Sequence, residues 1–326
     1  MSVFDSSVTI KPMAYPWAFD YFRMHEKMHW LAEEVPLLDD VKDWNNRLTD
    51  NERNFLTQIF RFFTQGDVDV AQGYYERYIP LFPRPELRMM MGSFANREGT
   101  HIDAYSLLID TVGMPETEYE AFLGYEEMAA KHEYASSLKM AEKGSPSFIE
   151  DVAKNIAVYS AFTEGLQLFS SFAMLLNFQR FGKMKGMGTI VEWSLKDEST
   201  HVEGMIKLFR TIIQENPHVW TDDFKATLYQ VARDMVELEN HFIDLAFEMG
   251  GIQGITAEET KQYVKYIADR RLMQLGLKAN FNVTENPFPW LDYIINSVSL
   301  SNFFEKRETE YTKGGIKWEK KDECVF

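Results

Sequence analysis

Apolar residues recur at helical spacing along most of the chain, and proline and glycine fall between these segments rather than within them. A β-rich chain would instead show turn signals every ~8 to 12 residues. The pattern therefore predicts an all-α fold. Capping boxes, prolines and glycines place the predicted helices at about 49–78, 85–112, 125–142, 145–181, 188–215 and 221–250, with a further helix after Thr256.

The domain organisation follows from the same pattern. Residues 1–304 contain no internal repeat, low-complexity run or Gly/Ser-rich linker, which predicts one helical domain. Residues 305–326 are polar, contain Gly314 and Gly315, and lack an apolar stripe. This composition is typical of a flexible tail.

The charge and cysteine content exclude several classes of function. A net charge of -16 argues against nucleic acid or an anionic membrane surface as a partner. The single cysteine, Cys324, excludes a disulfide framework and a cysteine-rich zinc site and fits the cytoplasm. We read no secretory signal, and the most apolar stretch, 157–178, contains Glu164 and Gln167. It is predicted to be a buried helix rather than a membrane span.

Two Glu-x-x-His motifs, at 98–101 and 198–201, lie inside long apolar helices. This spacing places a carboxylate and an imidazole on one helical face, where both can reach the same metal ion. A third motif, at 26–29, lies in a charged stretch and is predicted to be on the surface.

A dinuclear site in a helical bundle also needs one acidic residue from each of two further helices. Asp67 precedes Glu98 by 31 residues and Glu164 precedes Glu198 by 34, spacings that suit partners across hairpins of long helices. Glu164 stands in an apolar segment, where an unpaired carboxylate would be costly. Asp69 competes with Asp67 but cannot share its helical face, and we prefer Asp67.

The donor set indicates the kind of metal. Carboxylates with two imidazoles suit iron or manganese, whereas zinc would more often bring thiolates and copper more histidines. The other interpretation is a structural bundle in which buried acids and histidines pair only with each other. The six candidate ligands are Asp67, Glu98, His101, Glu164, Glu198 and His201.

In order and spacing, these six residues resemble the small, radical-generating subunit of class I ribonucleotide reductase, over nearly the whole chain. The resemblance implies a ferritin-like helical bundle with a dinuclear centre holding two iron ions, two manganese ions or one of each. It also implies a homodimer that generates an oxidising equivalent and passes it to a separate large subunit, which reduces ribonucleotides. The small subunit itself would bind no nucleotide.

The resemblance assigns further residues to the movement of the oxidising equivalent. Tyr105 matches the radical tyrosine, and Trp30 matches a conduit tryptophan. Asp197 matches the acid that couples this tryptophan to the metal-bound His101.

In the predicted tail, Glu305 and Tyr311 match an essential glutamate and a relay tyrosine. The last residues, DECVF, match an anchor that docks to the large subunit.

One departure leaves the radical's location open. Phe172 keeps the apolar character of the family's tyrosine pocket, but Leu168 and Ser194 occupy the other matching positions. A manganese-containing cluster could then store the oxidising equivalent itself, with Tyr105 only a neighbour.

Two other classes of function remain as alternatives. One is a ferritin-like oxidase acting on its own small substrate, which would need an open cavity and no tail. The other is a metal-storage or structural bundle, which would need neither Trp30 nor Tyr105.

Overall fold

The computed structural model describes residues 2–295. These residues divide into two compact units, with the boundary between Phe288 and Pro289. Over the described part of the second unit, residues 289–295 are helical. The sequence-based boundary at 304/305 lies outside the described residues and stays a prediction.

The all-α prediction is confirmed: no β-strand occurs among residues 2–295, where the sole β feature is a single bridge between Ile252 and Ile255. The helices are α1 (Pro16–Glu26), α2 (Leu38–Asn46), α3 (Asp50–Gln72), α4 (Pro85–Thr111), α5 (Thr117–Glu120), α6 (Glu126–Ser136), α7 (Phe148–Ile156), α8 (Phe169–Arg180), α9 (Lys185–Glu215), α10 (Asp222–Ala246) and α11 (Ala257–Leu275).

Two stretches of π-helix interrupt this pattern. The first π segment, Gly73–Tyr78, continues α3, and the second, Ala157–Leu168, joins α7 to α8. Each π segment therefore lies inside a helix that the sequence predicts as continuous. π-Helical turns occur frequently at functional sites because they shift the side chains that follow to another face.

The predicted capping residues are found in place. The Thr49 hydroxyl accepts a hydrogen bond from the backbone N–H of Glu52, and the Glu52 carboxylate accepts one from the backbone N–H of Thr49. Thr256 and Glu259 form the same reciprocal pair at the start of α11. Each pair satisfies backbone donors that a helix N-terminus would otherwise leave unpaired.

Four long helices form the centre of the larger unit. α3 packs against α4, and α9 packs against α4, α8 and the second π segment. Every residue of the second π segment is buried, as is most of α8. Apolar side chains on every face favour such all-round burial, which also encloses the polar side chains of Glu164 and Gln167.

Helix α6 ends at Ser136, six residues before the predicted end at 142. Side chains from elsewhere bind the carbonyls that a longer helix would use. Arg77 donates to the carbonyls of Ser136 and Leu138, and Asn155 donates to that of Lys139. These contacts are tertiary, so no local signal marks the end of α6.

Helix α9 begins at Lys185, three residues before its predicted start. The carboxylate of Asp40, on α2, accepts hydrogen bonds from the backbone N–H groups of Gly186 and Met187 at 2.8 Å. An acid from another helix thus performs the role of a local cap.

The first two helices, α1 and α2, are absent from the sequence-based prediction. Within residues 2–295 no helix is both long and apolar enough to span a bilayer.

Candidate metal centre

The six candidate ligands come from four helices that meet in the core. α3 carries Asp67, the second π segment carries Glu164, and α4 and α9 each carry a Glu-x-x-His pair. All six side chains are at most 1% exposed. The ligand atoms fall into two groups, in each of which they lie within 4.8 Å of one another: Glu98, Glu164, Glu198 and His201, and Asp67, Glu98 and His101.

The two imidazoles turn the same nitrogen towards the carboxylates. His101 Nδ1 lies 3.3 Å from Glu98 Oε2 and 3.1 Å from Glu198 Oε1. His201 Nδ1 lies 2.9 Å from Glu98 Oε1 and 3.3 Å from Glu198 Oε2. Glu98 and Glu198 are therefore shared between the two histidines, as bridging carboxylates of a dinuclear site would be.

Seven of the eight carboxylate oxygens of the cluster make no hydrogen bond, although the two imidazole Nδ1 atoms lie close to several of them. Both carboxylate oxygens of Asp67, Glu98 and Glu198 are without a hydrogen-bond partner, as are Glu164 Oε2 and His201 Nδ1. Unpaired buried polar atoms are expensive and rare, and each requires an explanation. Because carboxylate oxygens and imidazole nitrogens are metal-binding atoms, the cluster fits a dinuclear metal centre.

Two buried carboxylates elsewhere, Asp269 and Asp40, have donors on both oxygens, and Glu239 has Lys131 as donor to one oxygen. Asp269 accepts from the backbone N–H groups of Asn280, Phe281 and Val283. Asp40 accepts two backbone donors at the start of α9. The fold therefore supplies donors to buried acids where no metal is expected, which makes their absence in the cluster informative.

Burial and neighbouring charges shift the pKa values of three carboxyl groups in the cluster. Burial raises the pKa of Asp67 well above its ordinary value. Burial, opposed by the adjacent His201 and helped by repulsion from Glu198, raises the pKa of Glu164 to about 7. Burial would also raise the pKa of Glu98, but the adjacent imidazoles of His101 and His201 lower it to about 2.

The carboxylates in turn shift the pKa values of the two histidines. Burial would lower the pKa of each imidazole, but the surrounding carboxylates raise both well above 6.5. Asp197 and Glu198 are the main causes for His101, and Glu198 and Glu164 for His201. Without a metal, protons on the imidazoles therefore balance the carboxylate charge, and metal binding must displace them.

Asp197 fixes the orientation of His101. Burial would raise the pKa of Asp197, but contacts with His101 and Arg97 lower it, so this carboxylate is ionised. His101 Nε2 lies 3.2 Å from Asp197 Oδ2. Because an ionised carboxylate only accepts, His101 donates from Nε2. Once a metal has displaced the second proton, Nδ1 is the nitrogen that presents a lone pair to the cluster.

Trp30 contacts the same carboxylate. Its Nε1–H donates to Asp197 Oδ2 at 2.8 Å, and its ring lies near that of His101, with centroids 5.9 Å apart. Trp30 is buried, while its neighbours His29 and Leu31 are exposed. Trp30, Asp197 and His101 therefore form a continuous path of side-chain contacts. The path runs from just beneath the surface to the cluster.

Tyr105 lies in a closed, largely aromatic pocket. The side chain is fully buried, and its ring centroid is 4.5 Å from that of Phe63, which in turn lies 5.4 Å from Phe172. The hydroxyl donates to Ser194 Oγ at 3.3 Å. Burial and the nearby Asp67 raise the pKa of Tyr105 well above 10, so the phenol keeps its proton.

Three further residues contact the cluster or Asp197 and escaped the sequence analysis. Tyr74 donates to Glu164 Oε1 at 2.9 Å, and Arg97 bridges Asp197 and the carbonyl of Met28. His25 Nε2 lies 3.1 Å from His201 Nε2. Arg97 adjoins Glu98 in sequence, and Tyr74 follows Asp67 by two helical turns, so helical spacing could have suggested both.

The remaining sequence-based expectations can also be placed. Asp69 contacts His132 at 2.6 Å rather than the cluster, which Asp67 joins. Glu26 and His29 are exposed, so the third Glu-x-x-His motif lies on the surface as predicted. The tail residues Glu305 and Tyr311 lie outside the described residues.

Comparison with known proteins adds an independent line of evidence. Residues 7–287 match the family model of the ribonucleotide reductase small chain. A probable ribonucleoside-diphosphate reductase small subunit of Invertebrate iridescent virus 6 is 47% identical, covering 97% of each chain. The ribonucleoside-diphosphate reductase subunit beta of Chlamydia pneumoniae is 30% identical over 94% of this chain and 91% of its own.

A solved structure agrees in fold. The ribonucleotide reductase R2 subunit of Clostridium botulinum superposes with a TM-score of 0.78 at 26% identity, over 86% of this chain and 88% of that one.

Proposed function

Since the chain belongs to the ribonucleotide reductase small-chain family, we propose how its residues carry out that family's work. The protein is the small subunit of a class I ribonucleoside-diphosphate reductase, an oxidoreductase that acts with a large subunit. The observation that carries the proposal is the set of donor-free buried oxygens between the four core helices. Two ions bound there would supply the oxidising equivalent after oxidation by an oxygen species.

The ligands of the centre are Asp67, Glu98, His101, Glu164, Glu198 and His201. When ionised, the four carboxylates balance the charge of two divalent cations, which suits a pair of ions better than one. Oxygen ligands with two imidazoles favour iron, manganese or one of each. The complete burial of the ligands excludes bulk water and reductants from the site.

Tyr105 stores the oxidising equivalent in this proposal. Its phenol is buried near Asp67, is packed against Phe63, and donates a hydrogen bond to Ser194. Such isolation protects a one-electron-oxidised ring from reductants in solution. The Ser194 hydroxyl holds the ring in a fixed orientation.

Trp30 and Asp197 carry the equivalent outward. When Trp30 is oxidised, its Nε1 proton moves to Asp197 Oδ2 across the existing 2.8 Å hydrogen bond. Arg97 and His101 keep Asp197 ionised and therefore able to receive this proton. The indole is restored when it takes an electron from the tail and recovers its proton from Asp197.

The partner lies beyond the described residues. We propose that residues 305–326 dock to the large subunit through DECVF, with Glu305 and Tyr311 completing the relay. A polar segment ending in apolar residues suits docking of this kind. We further propose a homodimer working in the cytoplasm, for which the family resemblance and the single cysteine are the support.

The relay is tested by replacing Trp30 with Phe, with Trp44→Phe as the matched control. Trp44 lies on α2 and packs against Phe60, away from the cluster. We expect Trp30→Phe to abolish reduction of ribonucleoside diphosphates with the large subunit, while two metals per chain remain bound and Trp44→Phe stays active. Full activity of Trp30→Phe would contradict the proposed relay.

A further inference from the structure

His25 connects α1 to the metal centre. Its side chain is fully buried, although it lies in a stretch whose neighbours Glu26, Lys27 and His29 are exposed. His25 Nε2 lies 3.1 Å from His201 Nε2, and its Nδ1 lies 3.2 Å from Ser93 Oγ. Asp197 Oδ1 is 3.7 Å away, too far for a hydrogen bond.

The donor and acceptor of each of these hydrogen bonds follow from the last contact of the chain, between Ser93 and the Met90 carbonyl. The Ser93 hydroxyl lies 2.9 Å from the carbonyl of Met90 and must donate there, because a carbonyl oxygen only accepts. Its single proton is then used, so Ser93 Oγ accepts from His25 Nδ1–H. A neutral imidazole protonated at Nδ1 has an acceptor at Nε2, and His201 Nε2–H donates to it.

This direction determines which atom of His201 faces the carboxylates. With one proton held on Nε2, His201 gives up its Nδ1 proton when a metal binds, and Nδ1, which lies 2.9 Å from Glu98 Oε1, then offers its lone pair to the metal. We propose that His25 is a positioning residue that holds His201 in its metal-binding tautomer through the chain His201–His25–Ser93–Met90. The inference rests on the proposed function, because it requires a metal at the cluster.

His25 also makes the two halves of the centre unequal. His101 donates its Nε2–H to the ionised carboxylate of Asp197, whereas His201 donates to a neutral imidazole. A carboxylate partner raises the basicity of a metal-bound histidine more than a neutral acceptor does. His25 therefore acts on the ion near Glu164 and His201, and Asp197 acts on the ion near Asp67 and His101.

The experiment compares three variants of the full-length chain. His25→Leu removes both hydrogen bonds and leaves an apolar side chain of similar size in their place. His25→Gln can still accept from His201 with its carbonyl oxygen and donate to Ser93 with its amide. His29→Leu is the matched control, since His29 is exposed in the same stretch.

Each metal-free protein is titrated with Mn²⁺ alone, and free Mn²⁺ is measured by electron paramagnetic resonance. We expect the parent chain and His29→Leu to bind two ions. We expect His25→Leu to bind one ion normally and the other about 10- to 100-fold more weakly. His25→Gln should recover most of that loss. Circular dichroism and urea unfolding of the metal-free proteins identify variants that fail to fold.

The outcomes separate the inference from the proposed function. Two ions bound by His25→Leu with the parent's affinities, or His25→Gln as weak as His25→Leu, would overturn the role of His25. Equal weakening of both ions would also overturn it, because His25 contacts only one of the two metal-facing histidines. A parent chain that binds fewer than two ions would overturn the dinuclear centre itself.

Discussion

Asp197 shows how much of the mechanism depends on single contacts. It receives hydrogen bonds from Trp30 and Arg97 and contacts His101, and the latter two keep it ionised in the core. A side chain amide at this position could not receive a proton from the indole. In the proposed relay, Asp197 therefore links the metal centre to Trp30.

Tyr105 provides the sharpest prediction at this scale. Tyr105→Phe keeps the ring and its packing against Phe63 but removes the phenolic proton that a tyrosyl radical must lose. We expect ribonucleotide reduction to fall to the level of the large subunit alone, with metal content unchanged.

Tyr159→Phe is the control, since it removes a buried hydroxyl that donates only to the carbonyl of Ala135 among the described hydrogen bonds. Activity retained in Tyr105→Phe would place the oxidising equivalent on the metals instead.

The second π segment is the element on which the site depends most. It carries Glu164, and its next residue, Gly165, lies against the guanidinium of Arg271 from α11. Arg271 Nε donates to the Gly165 carbonyl at 2.8 Å. This contact both satisfies the carbonyl and fixes the position of the backbone beside a metal ligand.

Gly165→Ala tests this arrangement. An added Cβ would lie 2.6 Å from Arg271 Nε and 3.1 Å from the Ser160 carbonyl oxygen, so the half-buried guanidinium must move. We expect the metal-free protein to lose about 1–3 kcal/mol of unfolding free energy in urea, as overpacked cores do.

Gly92→Ala in α4 is the matched control. Nothing lies within 4 Å of its added Cβ, and alanine favours a helix interior by about 0.5–1 kcal/mol. A Gly165→Ala protein as stable as the parent would contradict this expectation, because Arg271 could then move aside at no cost in stability.

The sequence predicted the long helices because their caps and apolar stripes are local. It also identified Asp67, Glu98 and Glu164 as candidates, since helical spacing and burial of acids can be read from the chain. The early end of α6 and the remote cap of α9 could not be predicted, because Arg77 and Asp40, which are distant in sequence, determine them. The π segments carry the same helical pattern as the α-helices they continue, so the sequence does not mark them.

His25 escaped prediction for a related reason. Its neighbours in sequence are charged and exposed, so only the packing of α1 against α4 and α9 reveals its burial. For Arg97 and Tyr74, helical spacing indicates a face shared with a candidate ligand. It does not indicate which side chain each of them contacts.

For the whole molecule, the proposed function gives the described core and the tail separate roles. The core holds the cluster, Tyr105 and Trp30, whereas the proposed docking residues Glu305 and Tyr311 lie beyond residue 295. A small subunit built in this way should bind metal without its tail but be unable to deliver the oxidising equivalent.

Deletion of residues 305–326 tests that division. We expect reductase activity with the large subunit to disappear while two metals per chain remain bound, because all six proposed ligands lie in the core. Addition of a free peptide covering the deleted residues should inhibit the intact enzyme by competing for the large subunit. Unchanged activity of the truncated chain would exclude the tail as the docking element.

The most direct test of the central claim is to quantify metal in the full-length protein loaded with iron or with manganese, together with electron paramagnetic resonance after oxidation. Two metals per chain and a tyrosyl signal that disappears in Tyr105→Phe are the predicted result. Fewer than about one metal per chain under every loading condition would contradict the account, because the donor-free carboxylates would then have no metal to bind.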